Sequence, residues 1–192
     1  MKIKSVFRLT GVLISLLFFT YQAFADKKPL AEGSKLPEII LSVPKNTEHQ
    51  KYLGITGKGT FTIPQIKAEV VIIEIFSMYC PHCQREAPTI NKFYEELVNS
   101  QKLKDKVKLI GIGVGNSAFE VNHFRKTYKI QFPLFPDADY SIHKKIGEVR
   151  TPYFIGVRII KDGTHRIFYS KLGGAKEANQ FLKMLLHRSG LV

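Results

Sequence analysis

An α/β sandwich around a mixed β-sheet is the fold class that the sequence predicts, on three observations. Two short runs rich in β-branched residues alternate with helix-periodic sequence along the middle of the chain. A hairpin signal and an amphipathic helix close it. The 192 residues, 44% hydrophobic and 23% charged, suit one domain whose core stands without disulfide staples. That composition excludes a wholly disordered chain, a disulfide framework and a polytopic membrane protein. With Cys80 and Cys83 as the only cysteines, a four-cysteine zinc site is excluded as well.

The elements follow in order. Residues 1–8 carry Lys2, Lys4 and Arg8 and no acid, residues 9–24 carry no charge, and Ala23-Phe24-Ala25 precedes Asp26. This is the layout of a secretory signal peptide over residues 1–25, and it predicts an exported, periplasmic protein. An uncleaved anchor helix is the alternative, although the apolar run is short of the ~20 residues of a span. Losing the signal's three basic residues takes the net charge from +13 to about +10. The lysines are dispersed, with no zinc-finger or RNA-binding pattern. The charge therefore reads as a solvated surface that steers acidic partners, and no nucleic-acid partner is expected.

Residues 26–58, rich in Pro, Gly, Lys and Thr, read as an N-terminal extension that pairs loosely with a body spanning 59–192. Val70–Phe76 is a buried central strand. Ile90, Phe93 and Leu97 then fall at helical spacing, and Pro88 is expected to kink that helix. Val107–Val114 is a second buried strand. Ser117 and Glu120 form a capping box for a helix burying Val121, Phe124 and Tyr128. A brief strand at 132–135 and a short helix at 141–146 lead to Thr151-Pro152. Residues 154–160 and 164–169 flank Asp162-Gly163, a hairpin turn signal. Ala178, Phe181, Leu182 and Leu185 give the last amphipathic helix.

The chemistry sits in Cys80-Pro81-His82-Cys83, which follows a buried strand and opens a helix. Cysteines at i and i+3 on a first helical turn approach closely enough to form a disulfide. Cys80 falls at or beside the N-cap, where unpaired N–H groups and the positive dipole end stabilise an anion. Pro81 at the first helical position gives up only an N–H that would be orphaned anyway. His82 adds a proton-dependent stabiliser of thiolate. The expected result is a low thiol pKa at Cys80, making it the attacking or leaving sulfur, with Cys83 as the resolving one. A c-type haem site would need His after the second cysteine, and Gln84 is there instead. The remaining histidines are scattered without ligand spacing, so neither a metal nor a cofactor is expected.

The run VVIIEIFSMYCPHCQREAP, together with RTPYF near residue 152, resembles the thioredoxin superfamily and specifically its exported TlpA/ResA-like, or redoxin, branch. The resemblance covers about residues 59–190. It implies a thioredoxin-like fold with an inserted strand–helix unit between the CxxC helix and the cis-proline loop, because the roughly 70 positions from Cys80 to Pro152 exceed what the smallest members need. It also implies a redox-active Cys80–Cys83 disulfide and a cis Thr151-Pro152 bond, with the Thr151 backbone pairing strand to strand with an extended substrate. Glu74, six residues before Cys80, matches the family's buried acid, which exchanges a proton with Cys83. Glu86 matches the glutamate of the ResA-like pattern and, at i+3, is expected to tune Cys83. Tyr79 borders the motif where the family often has an aromatic residue and is expected to shape the docking surface.

The function implied is an exported thiol–disulfide oxidoreductase that mainly reduces disulfides of protein clients, with apocytochrome c as the suggested class. A membrane-embedded electron donor would regenerate it. Three alternatives stand beside it. The dipeptide of Cys-Pro-His-Cys looks like that of the oxidant DsbA, although there is no room for that protein's helical domain. A peroxidase shares the fold, but the usual P-x-x-x-T-x-x-C pattern is missing before Cys80. A Cu(I)-binding module would use Cys80, Cys83 and Met78 as soft ligands.

Overall fold

In the computed structural model, residues 28–160, 163–174 and 177–192 are described. The expected signal peptide and Asp162 of the hairpin turn lie outside them. The chain runs β1 (Ile40–Ser42), α1 (Thr47–Leu53), β2 (Thr60–Thr62), β3 (Val70–Phe76), α2 (Pro81–Asn99), β4 (Val107–Val114), α3 (Ala118–Thr127), β5 (Leu134–Asp137), α4 (Ser141–Lys145), β6 (Tyr153–Ile159), β7 (His165–Leu172) and α5 (Ala178–Ser189). Five strands form a mixed sheet in the order β5-β4-β3-β6-β7. The β3–β4 and β4–β5 pairs are parallel, whereas β6 runs antiparallel to both β3 and β7. This is the mixed sheet flanked by helices that the sequence predicts.

β3 is the middle strand, and every one of its residues is buried. Alternation sends Val71, Ile73 and Ile75 to one face and Val70, Ile72 and Phe76 to the other, where α2 packs through Cys83, Ala87, Ile90, Phe93 and Leu97. Glu74 shares the parity of the second set, so the strand's one acid points beneath the helix that begins with the motif. The α5 ring of Phe181 meets Phe154 and Phe93 at centroid distances of 5.1 and 5.7 Å. Burying each such side chain contributes about 1.5–3 kcal/mol, which fixes α2 against the sheet. α2 continues through Pro88 without a break. Between α2 and the cis-proline loop stand β4, α3, β5 and α4.

Residues 28–58, within the expected extension, pack closely on the body. Leu36, Ile39, Leu41, Leu53 and Ile55 are buried with Val71, Ile73 and Ile75, and β1 pairs antiparallel with β2 over that face of the sheet. Further upstream, Gly33 N–H donates to the Ile167 carbonyl at 2.7 Å and Ile167 N–H to the Ser34 carbonyl at 2.9 Å, laying the chain along β7. The physical reason is that the sheet has two apolar faces, and α2, α3 and α5 cover only one. β5 also begins two residues later than expected. Phe132 is fully buried just before it, and Pro136 is accommodated because β5 is an edge strand.

Candidate active site

β3 ends at Phe76, and the chain turns through 77–79 to place the motif at the strand's carboxyl end. Cys80 N–H donates to the Ser77 carbonyl at 3.0 Å, closing this turn. Cys80 is the N-cap of α2, in extended conformation with φ −85° and ψ 112°, and Pro81 takes the first helical position. The cap is the sulfur itself, which accepts from the Cys83 N–H at 3.4 Å. Both cysteines are free thiols in this structure, Cys80 partly exposed and Cys83 buried.

The two thiols are electrostatically opposite. Burial raises the Cys80 pKa, but hydrogen bonds from the Thr151 and Cys83 side chains and from the Cys83 and His82 N–H groups outweigh it and bring the value below that of an ordinary cysteine. Burial pushes the Cys83 thiol well up, and its hydrogen bond to Cys80 adds to the rise. Cys80 is thus the more readily ionised of the two thiols, and Cys83 the one that holds its proton.

Glu74 is 3% exposed, and its carboxyl is pushed up to about 8, chiefly by burial and then by the charges of Glu86 and Cys80. Glu74 in turn raises Cys83. Glu86 is half-buried, and its carboxylate packs on Gly174 so closely that a Cβ there would lie 1.4 Å from Oε1. Its charge acts on Glu74, whereas Glu86 is not among the groups that shift Cys83. Glu86 thus acts on the buried acid, which in turn acts on Cys83.

The Thr151-Pro152 bond is cis, and the Cys80 Sγ lies 3.3 Å from the Thr151 carbonyl oxygen. Thr151 stands beyond the last ladder pairs of β6, which join Tyr153 to Ile75 and to Leu172. Its backbone therefore borders the motif outside the sheet. A groove of about 660 Å³ runs from this loop along the first turns of α2 to Gly174.

Two further expected residues make side-chain contacts beside the motif. The His82 ring is exposed, and its Nδ1 faces Arg85 Nη2 at 2.9 Å. Arginine only donates, so Nδ1 is the acceptor in this contact. The His82 backbone N–H is among the groups that lower Cys80. Tyr79, 65% exposed, is not part of the groove lining; its hydroxyl donates to Glu120 Oε1 on α3.

That contact belongs to a brace that sequence reasoning missed. Fully buried Asn116 accepts from the Met78 N–H through Oδ1 at 2.8 Å, and Gln84 Nε2 donates to the Met78 carbonyl at 2.7 Å. Glu120 completes the capping box with Ser117 while holding Tyr79, and these hydrogen bonds, Tyr79's foremost, lower its carboxyl to about 2. The loop before Cys80 is thereby tied to both α2 and the start of α3. A fixed, readily ionised thiol beside a buried acid and an open backbone edge suits disulfide exchange.

Comparison with known proteins agrees. The profile of the AhpC/TSA family matches residues 33–168. The thiol-disulfide oxidoreductase ResA of Bacillus subtilis is 26% identical over 146 residues, covering 73% of this chain and 72% of that protein. Among solved structures, StoA from Bacillus subtilis superposes with a TM-score of 0.54 at 22% identity, over 77% of this chain and 96% of that one. A DsbE-type thiol:disulfide interchange protein from Chlorobium tepidum gives 0.60 at 14% identity, over 83% and 98%. At these identities the two structures speak for the fold alone. Because the profile spans well over half of its length, the chain belongs to the AhpC/TSA family, as a ResA-like, thioredoxin-fold oxidoreductase.

Proposed function

We propose that the protein is an exported thiol–disulfide oxidoreductase that reduces disulfides in secreted or periplasmic protein clients. The observation that carries this reading is the split between the two thiols, Cys80 stabilised as thiolate at the helix N-cap and Cys83 held protonated over Glu74. Cys80 attacks one sulfur of a client disulfide. The S–S bond breaks, the other client sulfur leaves as thiolate and takes a proton from solvent, and a Cys80–client mixed disulfide remains. Consuming the Cys80 charge removes one of the interactions that raise Glu74, so Glu74 ionises more readily when a base is needed. Glu74 then takes the Cys83 proton, and Cys83 attacks Cys80 Sγ and expels the second client thiolate, which takes a proton from solvent. The client gains two electrons and two protons, and the protein ends as the Cys80–Cys83 disulfide. Thr151 and Pro152 present the edge on which an extended client segment pairs.

The charge-free stretch ending at Ala23-Phe24-Ala25 supports export with cleavage before Asp26. By family resemblance, a membrane-embedded donor restores the dithiol and apocytochrome c cysteines are clients. The Cys-Pro-His-Cys dipeptide and the stabilised thiolate favour a second reading, a disulfide-introducing oxidant, because stabilising the reduced form raises the potential. A potential near about −120 mV selects it over the reductase. Peroxidase chemistry is disfavoured, since the pattern P-x-x-x-T-x-x-C would need proline at 73 and threonine at 77, where Ile73 and Ser77 stand.

The direct test is trapping. Cys83→Ser should accumulate a mixed disulfide with clients in periplasmic extract, and Cys80→Ser should accumulate none. Equal trapping by both variants, or by neither, refutes the assignment of roles.

A further inference from the structure

Resting on the disulfide-exchange reading above, we propose that the groove beside the motif selects clients that carry a carboxylate side chain next to the reactive disulfide. The groove has one wall from the first turns of α2, bearing Arg85, and another from the loop that ends at Pro152, bearing Arg150. Both arginines are exposed. Arg85 donates to His82 Nδ1, which uses one of its five N–H groups. Among the described residues neither guanidinium meets a carboxylate at ion-pair distance. Glu86 is the acid among the described lining residues, and its carboxylate is packed onto the Gly174 backbone. The two guanidiniums are thus left to the groove's contents.

A polypeptide occupant follows from the position of the groove. A client cysteine joined to Cys80 lies beside the Thr151 backbone, 3.3 Å from the sulfur. An extended client segment advances about 3.3 Å per residue, so the residues next to its cysteine run along the groove floor. A planar guanidinium offers paired donors that match a carboxylate and repel an ammonium. The net positive charge, about +10 without the signal's three basic residues, biases encounter in the same direction.

The test uses the reduced full-length protein and three synthetic peptides that share one intramolecular disulfide and differ only in glutamate, glutamine or lysine beside the cysteines. The single-turnover reduction rate at low salt is expected to rank glutamate above glutamine above lysine, with about tenfold between the extremes, as suits two exposed charge contacts. The combined Arg85→Glu and Arg150→Glu variant should invert the ranking. Lys58→Glu with Lys183→Glu changes the net charge equally outside the groove and should preserve it. High salt should compress the ratio toward one. Each ratio is taken within one protein, so a general loss of rate does not mimic the effect. Equal rates for all three peptides, or the same ranking after reversal of the two arginines, overturn the inference and leave the exchange reading standing. Failure to reduce even the glutamine peptide overturns both.

Discussion

Replacing Glu74 by glutamine keeps the shape of the buried side chain and deletes its titration. In the folded protein the carboxyl ionises at about 8, against 4.5 for the ordinary group. Below pH 4.5 the acid is neutral both folded and unfolded and weighs on neither state. As pH rises through 4.5, the unfolded chain releases the proton while the folded chain retains it, and stability falls until the folded group also ionises near 8. At about 1.36 kcal/mol per pH unit, the full displacement amounts to about 5 kcal/mol. About 3.5 kcal/mol of that falls between pH 5 and pH 8. Urea unfolding of the reduced wild type and Glu74→Gln across this interval measures it. The stability difference, variant minus wild type, should grow by about 3–4 kcal/mol from pH 5 to pH 8. Taking the difference cancels His49 and the other groups that do not interact with Glu74. Parallel curves would show that Glu74 ionises normally, and the proton-store argument would fail.

Two further outcomes follow from the same site. The alkylation rate of reduced Cys80 should rise with pH through an inflection below that of an ordinary cysteine, and Cys83→Ala should move it upward by removing one stabilising hydrogen bond; an inflection at the ordinary value refutes the cap's role. Asn116→Ala strands the Met78 N–H and should cost about 1–3 kcal/mol in urea unfolding while slowing client reduction; unchanged stability and rate would remove Asn116 from the brace.

What could be read from sequence were the features encoded locally. β3 and β4 match to the residue because both are continuous buried runs, and Ser117 with Glu120 announces α3 through a three-residue spacing. The cap at Cys80 and the position of Glu74 follow from local geometry, helix start and strand alternation respectively. The brace was illegible for the opposite reason, since Asn116 and Glu120 lie 38 and 41 residues from Met78 and Tyr79. Arg150 and Gly174 join the groove only when β6 and β7 bring their ends to α2. His82 is intermediate: Arg85 at i+3 shares its helix face, a legible spacing that competes with the role expected of the ring. Residues 28–58 hid their packing because β1 has three residues and the seven-residue α1 buries only Leu53, too little for a period to emerge.

The ribbon at Gly33 and Ser34 has a consequence for how this protein meets other chains. β7 is the outermost strand on its side, and its unsealed backbone would be a template for other chains. The two hydrogen bonds through Ile167, and the Arg166 Nη1 contact to the Gly33 carbonyl at 3.1 Å, shut that rim. Loss of the chain through Ser34 would strip this seal and expose the β7 edge to other chains.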